Sequence, residues 1–151
     1  MYFKITPGAI VLTIVFANAF AADKLVKMKD LPPAVQRTVQ EQSKGTTVTG
    51  LSTEVEHGRR TYEVEMTVNG HGKDVSMDAS GTVIEVEEEV ALDSIPAAAR
   101  TAIKKAAAGG KIAKVEKVTG GKETAYEAAL RKDGKRSEVR VSADGSMLPE
   151  D

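Results

Sequence analysis

Between residues 61 and 78 apolar and polar positions alternate. Tyr62, Val64, Met66 and Val68 are interleaved with Thr61, Glu63, Glu65 and Thr67, the period of two expected of a half-buried strand. Asn69-Gly70 is a two-residue hairpin signal, and it leads to a second strand carrying Val75 and Met77. The pattern returns downstream: Tyr126, Ala128 and Leu130 against Glu127 and Arg131, then Asp133-Gly134, then Val139 and Val141. Upstream of each hairpin the spacing changes to three and four. Val35 and Val39 in one place, and Ala99, Ala102, Ile103 and Ala106 in the other, each give a helix one apolar face. Pro32 and Pro96 suit the first helical turn, Asp30 and Ser94 are placed to cap, and Gly45 and Gly109-Gly110 stop the helices. Ser80-Gly81 and Asp144-Gly145 turn into a last strand around Ile84 and Val86, or a short one near Met147-Leu148.

Shifting the chain by 64 positions superimposes 31–84 on 95–148 without a gap and with nine identities, among them Pro32/Pro96, Gly45/Gly109, Tyr62/Tyr126, Gly70/Gly134 and Gly81/Gly145. Two copies at this period read as a tandem duplication. The expected fold class is α+β: two tandem helix-plus-antiparallel-sheet (αββββ) repeats, 22–90 and 91–151, with one helix packed on one face of each sheet. About 60 residues with one tyrosine bury little apolar surface, so the units should pack together or share one continuous sheet.

The first 21 residues read differently. One lysine precedes the apolar stretch Ile5–Phe16, and Ala19-Phe20-Ala21 matches a signal-peptidase site. The stretch is shorter than the roughly 20 residues a membrane span requires. Cleavage near Ala21 would deliver about 130 residues to the periplasm or the medium. The chain contains no Cys, so it would keep no lipid anchor and hold no disulfide.

Composition narrows the function further. A net charge of −1 gives no basis for nucleic-acid binding, which rests on neutralising phosphates. Removal of the leader leaves Tyr62 and Tyr126 as the only aromatics, too few for stacking sugars or bases. His57 and His71 flank one strand and would lie roughly 30 Å apart, so they cannot share a metal. No Ser stands near a His in a triad-like arrangement. Glu63 and Glu65 share a strand face but come without sugar-stacking aromatics. No catalytic, cofactor or metal-ligating residue is expected. The run Glu85, Glu87, Glu88, Glu89 lacks calcium-loop spacing and reads as a solvated face. Asp78 and Asp144 beside turn glycines should shape those turns.

The two copies differ in sign: from Ala22 to Leu92 there are 8 basic and 13 acidic residues, and from Asp93 to Asp151 there are 12 and 9. A sheet face carrying Glu63, Glu65, Asp74, Glu85 and Glu87 on one half, and Arg131, Lys135 and Arg140 on the other, would orient a protein partner.

The patterns Leu31-Pro32-x-Ala34-Val35 and Ile95-Pro96-x-Ala98-Ala99, Tyr62-Glu63-Val64 and Tyr126-Glu127-Ala128, the Asn/Asp-Gly hairpins, and Asp78-Ala79-x-Gly81 with its counterpart Ser142-Ala143-Asp144-Gly145 resemble PepSY-like units. Nearly the whole chain after the leader is similar to small exported PepSY-like, β-lactamase-inhibitor-like proteins. That resemblance implies export and binding, with inhibition of a secreted hydrolase or regulation of a peptidase as the expected task, and it transfers no catalytic residue. The expectation is therefore a periplasmic non-enzymatic binding module for a secreted or periplasmic protein. The alternative is an envelope cation-binding or stress-response protein using its carboxylates.

Overall fold

The structure is a computed structural model that describes residues 24–56, 58–120 and 123–149. The expected leader 1–21 and His57 lie outside the described residues. Among those described, no helix is long and apolar enough to cross a membrane.

Nine strands form one antiparallel sheet in chain order: β1 (Lys24–Leu25), β2 (Thr47–Glu56), β3 (Arg59–Val68), β4 (His71–Asp78), β5 (Val83–Glu89), β6 (Lys111–Thr119), β7 (Ala125–Lys132), β8 (Lys135–Ser142) and β9 (Met147–Leu148). Helix α1 (Pro33–Gln42) precedes β2, and α2 (Ala97–Ala107) precedes β6. The sheet does not divide into two: β5 pairs with β6 over Val86–Glu89 against Thr119–Glu116. Asn69-Gly70 and Asp133-Gly134 adopt positive φ at both positions, as a tight hairpin with right-twisted strands requires. His71 opens β4 opposite Val68 rather than lying in the turn.

Both helices pack on one face of the sheet. Val35 and Val39 of α1 meet Val64, Met66, Val75 and Met77; Ala99, Ile103 and Ala107 of α2 meet Val115, Ala128, Leu130 and Val141. The last turn of each half presses on the start of its helix. A Cβ at Gly81 would stand 2.7 Å from the Ala34 carbonyl oxygen, and one at Gly145 would stand 2.8 Å from that of Ala98. Both glycines also hold positive φ, so close approach and backbone conformation both demand glycine. Asp78 Oδ1 accepts from the amides of Ser80 (2.8 Å) and Thr82 (3.1 Å). In the other turn the carboxylate has moved two residues along: Asp144 Oδ1 accepts from the Ser142 hydroxyl and from the Ser146 amide (2.9 Å). These bonds hold both exposed carboxyls below the usual range, led in each case by the serine hydroxyl.

Two local expectations need correction. Asp30 and Ser94 do not cap the helices; each ends a short 3-10 turn, and Pro32 and Pro96 occupy the N-cap positions without a side-chain bond. Two consecutive extended residues, Leu31-Pro32 and Ile95-Pro96, place the acidic or hydroxyl residue too early to reach the helix amides. Tyr62 and Tyr126 do point to the helix-bearing side, but each is only partly buried at the margin of its cluster, and the largest fully buried side chains are Met66, Met77 and Ile103. Ile103→Ala is therefore expected to cost about 2–5 kcal/mol, more than Tyr126→Ala, and Gly81→Ala about 1–3 kcal/mol through strain; urea denaturation measures all three.

Candidate functional site

The other face of the sheet carries the polar phase of every long strand and bears neither helix. Register sets three cross-strand rows on it. Ser52, Glu63, Ser76 and Glu85 form the first; Glu65, Asp74, Glu87, Val118, Ala125 and Ser142 the second; Glu89, Glu116, Glu127 and Arg140 the third. Although neither α1 nor α2 covers them, Glu116 is 4% exposed, Val118 2% and Arg140 7%. The reason is curvature. Arg140 on β8 hydrogen-bonds Glu85 on β5, three strands away, where a flat sheet would hold the backbones about 14 Å apart. The helix-free face is thus a trough, and its central residues are shielded by its own walls.

Carboxylates crowd the middle of this trough. Asp74, Glu87 and Glu116 each place an oxygen within 4.8 Å of the others. Asp74 and Glu87 are direct cross-strand partners, and Glu116 comes in from β6 beside them. A register shift between Ile112 and Lys114 turns Lys114 to the same face, where its Nζ lies 2.8 Å from Glu116 Oε1. That ion pair gives the buried Oε1 of Glu116 a charged partner. Glu127 sits 4.0 Å from the Nε of Arg140, and the carboxylate of Glu65 lies over Gly50, whose added Cβ would come within 2.8 Å of it.

Burial and mutual repulsion hold several of these groups protonated well above the ordinary range. Glu87 is pushed up to about 8, first by desolvation and then by Glu127, Glu116, Glu85 and Glu63. Glu127 is raised to about 7 by desolvation, against the opposing pull of Arg140. Asp74 is raised to about 6 by desolvation, with Lys114 opposing and Glu116 and Glu65 assisting. For Lys114 burial acts downward, but Glu116, Asp74 and Glu87 outweigh it and raise its pKa. Thr61 and Ser142 on this face donate to Glu54 and Asp144, and no hydroxyl is hydrogen-bonded to a histidine among the described residues.

A sequence profile described as "Putative beta-lactamase-inhibitor-like, PepSY-like" matches the chain twice, over 20–85 and 60–148. The chain belongs to this PepSY-like family. No match is found among curated proteins. Three solved structures share the PepSY-like fold: a "putative periplasmic" protein of Bacteroides eggerthii (16% identity, 79% of this chain and 86% of that one, TM-score 0.62), a DUF2874 family protein of Bacteroides ovatus (18%, 79% and 85%, 0.58), and a BLIP-like protein of Bacteroides fragilis (20%, 78% and 83%, 0.53).

Within this PepSY-like trough the residues expected from the sequence do not all meet. Glu63, Glu65, Asp74, Glu85, Glu87 and Arg140 share the face, and Arg140 is buried among the acids rather than displayed on an exposed positive half. Arg131 keeps the phase of Glu127 but lies exposed at the far end of β7. Lys135 is a correction: it has the phase of Val139 and Val141, so it lies on the helix-bearing side at the exposed hairpin. A strand's period of two decides this, since an odd and an even position cannot share a face. The solvated-face reading of Glu87 is also overturned, because β4 and β6 wall it in. Glu127 was readable as the counterpart of Glu63. Glu116 and Lys114 carried no signal, because their shift partners are Ser52 and Gly50.

The raised carboxyls make stability fall with rising pH. Glu87 binds a proton up to about pH 8 when folded and to about 4.5 when unfolded, so its contribution is complete below pH 4.5 and is lost through pH 8. Thermal melts in chelator should therefore show Tm falling from pH 5 to pH 8, and Glu87→Gln should stabilise the protein by about 1–2 kcal/mol at pH 8, after allowance for solvent access.

Proposed function

We propose that this PepSY-like protein is an exported, non-enzymatic module that captures a protein partner in the trough of its sheet. The observation that carries the reading is the shape of the helix-free face, curled enough for Arg140 to reach Glu85 and left open by both helices. A concave sheet with carboxylates along its middle (Asp74, Glu87, Glu116) and small residues on the flanking strands (Ser52, Ser76, Ala125, Ser142) accepts a protruding segment with basic side chains, whose charge steers encounter and fixes register. The family's inhibitor-like description supports a secreted hydrolase or peptidase as the target, although a shared fold does not carry a shared target. The same reading takes residues 22–90 and 91–151 as two copies of one unit, with 1–21 as a leader cleaved near Ala21. Neither copy would present the trough alone, since its central acids come from both.

The test is capture by the mature protein from periplasmic extract, in chelator, alongside Ala129→Arg in the trough and Arg37→Glu on the helix-bearing side. One specific partner should be retained by the parent and by Arg37→Glu and lost at least tenfold by Ala129→Arg at unchanged Tm. Equal retention by all three, or no partner at all, would reject the trough as the binding site.

A further inference from the structure

At the β7–β8 hairpin the chain sets like charges against one another. Lys111 is the cross-strand partner of Arg131, and Arg131 of Arg136, so three cations stand in one row on the helix-free face. On the helix-bearing face Lys132 is opposite Lys135. All five are exposed. Lys104 and Lys105 occupy the last turn of α2, which ends alongside, since Lys132 Nζ donates to the Ala108 carbonyl oxygen at 2.8 Å. Carbonyls at a helix C-terminus give Lys104, Lys105 and Lys132 a local reason, but the row has none. Like charges directly opposite cost stability, and Lys111, Arg131 and Arg136 make no ion pair among the described residues. The first half supplies the comparison. In the same register, 64 residues earlier, the row is Thr47, Thr67 and Gly72, and the pair behind it is Val68 and His71. That hairpin forms without a lysine or arginine at any of these positions, so the fold does not ask for them.

We propose that this basic end of the sheet is a docking surface for an anionic phospholipid bilayer, held by electrostatics alone. The cations emerge on both faces of the sheet and at the end of α2. A bound peptide would reach one face, whereas a plane of phosphate groups laid across the end meets both. None of the large exposed apolar side chains lies on α2, β6, β7 or β8, so nothing there enters the acyl region. Attachment of this kind is peripheral and released by salt. A net charge of −1 gives the whole molecule no attraction to such a surface, so binding depends on presenting this end and turning the acidic trough away. The choice of lipid over nucleic acid rests on the exported reading. Partner capture concerns the trough and stands or falls separately.

Co-sedimentation of the mature protein with vesicles tests the surface. Vesicles of phosphatidylglycerol and phosphatidylcholine in equal parts should retain the protein at about 20 mM salt and release it at about 0.3 M, and phosphatidylcholine alone should not retain it. Arg131→Gln combined with Arg136→Gln should weaken retention at least tenfold, since each cation at the surface contributes roughly fivefold. Lys24→Gln combined with Arg59→Gln removes equal charge from exposed positions on β1 and β3 and should change retention by less than about twofold. Lys111→Gln combined with Lys135→Gln repeats the test should the first pair alter folding, which circular dichroism reports. No retention by the anionic vesicles, equal retention by neutral ones, or equal weakening by the Arg131/Arg136 and Lys24/Arg59 pairs overturns the proposal. So does tighter binding to a DNA duplex at equal phosphate concentration, which would make this a nucleic-acid surface.

Discussion

The structure depends on four residue pairs. Val86–Glu89 of β5 hydrogen-bond against Thr119–Glu116 of β6, and this short ladder is the seam that turns two small sheets into one. Its register does more than join them. It sets Glu87 opposite Val118 and brings Glu116 diagonally onto Asp74 and Glu87, so the acidic centre exists only because the seam has this alignment. Slipping it by one residue would put Glu116 and Val118 on the opposite face from Asp74 and Glu87.

Curvature is the second consequence. A continuous sheet with helices on one side can curl toward the other, and the Arg140–Glu85 pair spans the resulting trough. The pair joins the more acidic half to the more basic half through a buried contact. The charge difference between the halves is thus spent partly inside the molecule, and the trough that remains open is acidic. Crowded carboxylates there cost stability as they ionise.

The two halves use corresponding positions for different ends. Ser52 and Ser76 line the trough in the first half; their counterparts 64 residues on are Glu116 and Arg140, the two buried charges at its centre. Conversely Glu54 and Glu65 correspond to Val118 and Ala129. The core-facing positions of both halves are apolar, as packing under a helix requires, and the halves differ on the trough side.

Sequence alone determined the local elements, because their causes are local. Alternation fixed the strands and which face of each is apolar, Asn69-Gly70 and Asp133-Gly134 fixed two hairpins through the φ > 0 that such turns require, and Gly81 and Gly145 marked turns too tight for a side chain. The same periodicity placed Glu63, Glu65, Asp74, Glu85 and Glu87 on one face. Tertiary structure decided what the period of two cannot carry across a break: the pairing of β5 with β6, the bulge that brings Lys114 beside Glu116, and the curl that buries Arg140 against Glu85. Those depend on register between strands separated by a helix and on the bending of the whole sheet, and both are set by the packing of distant residues.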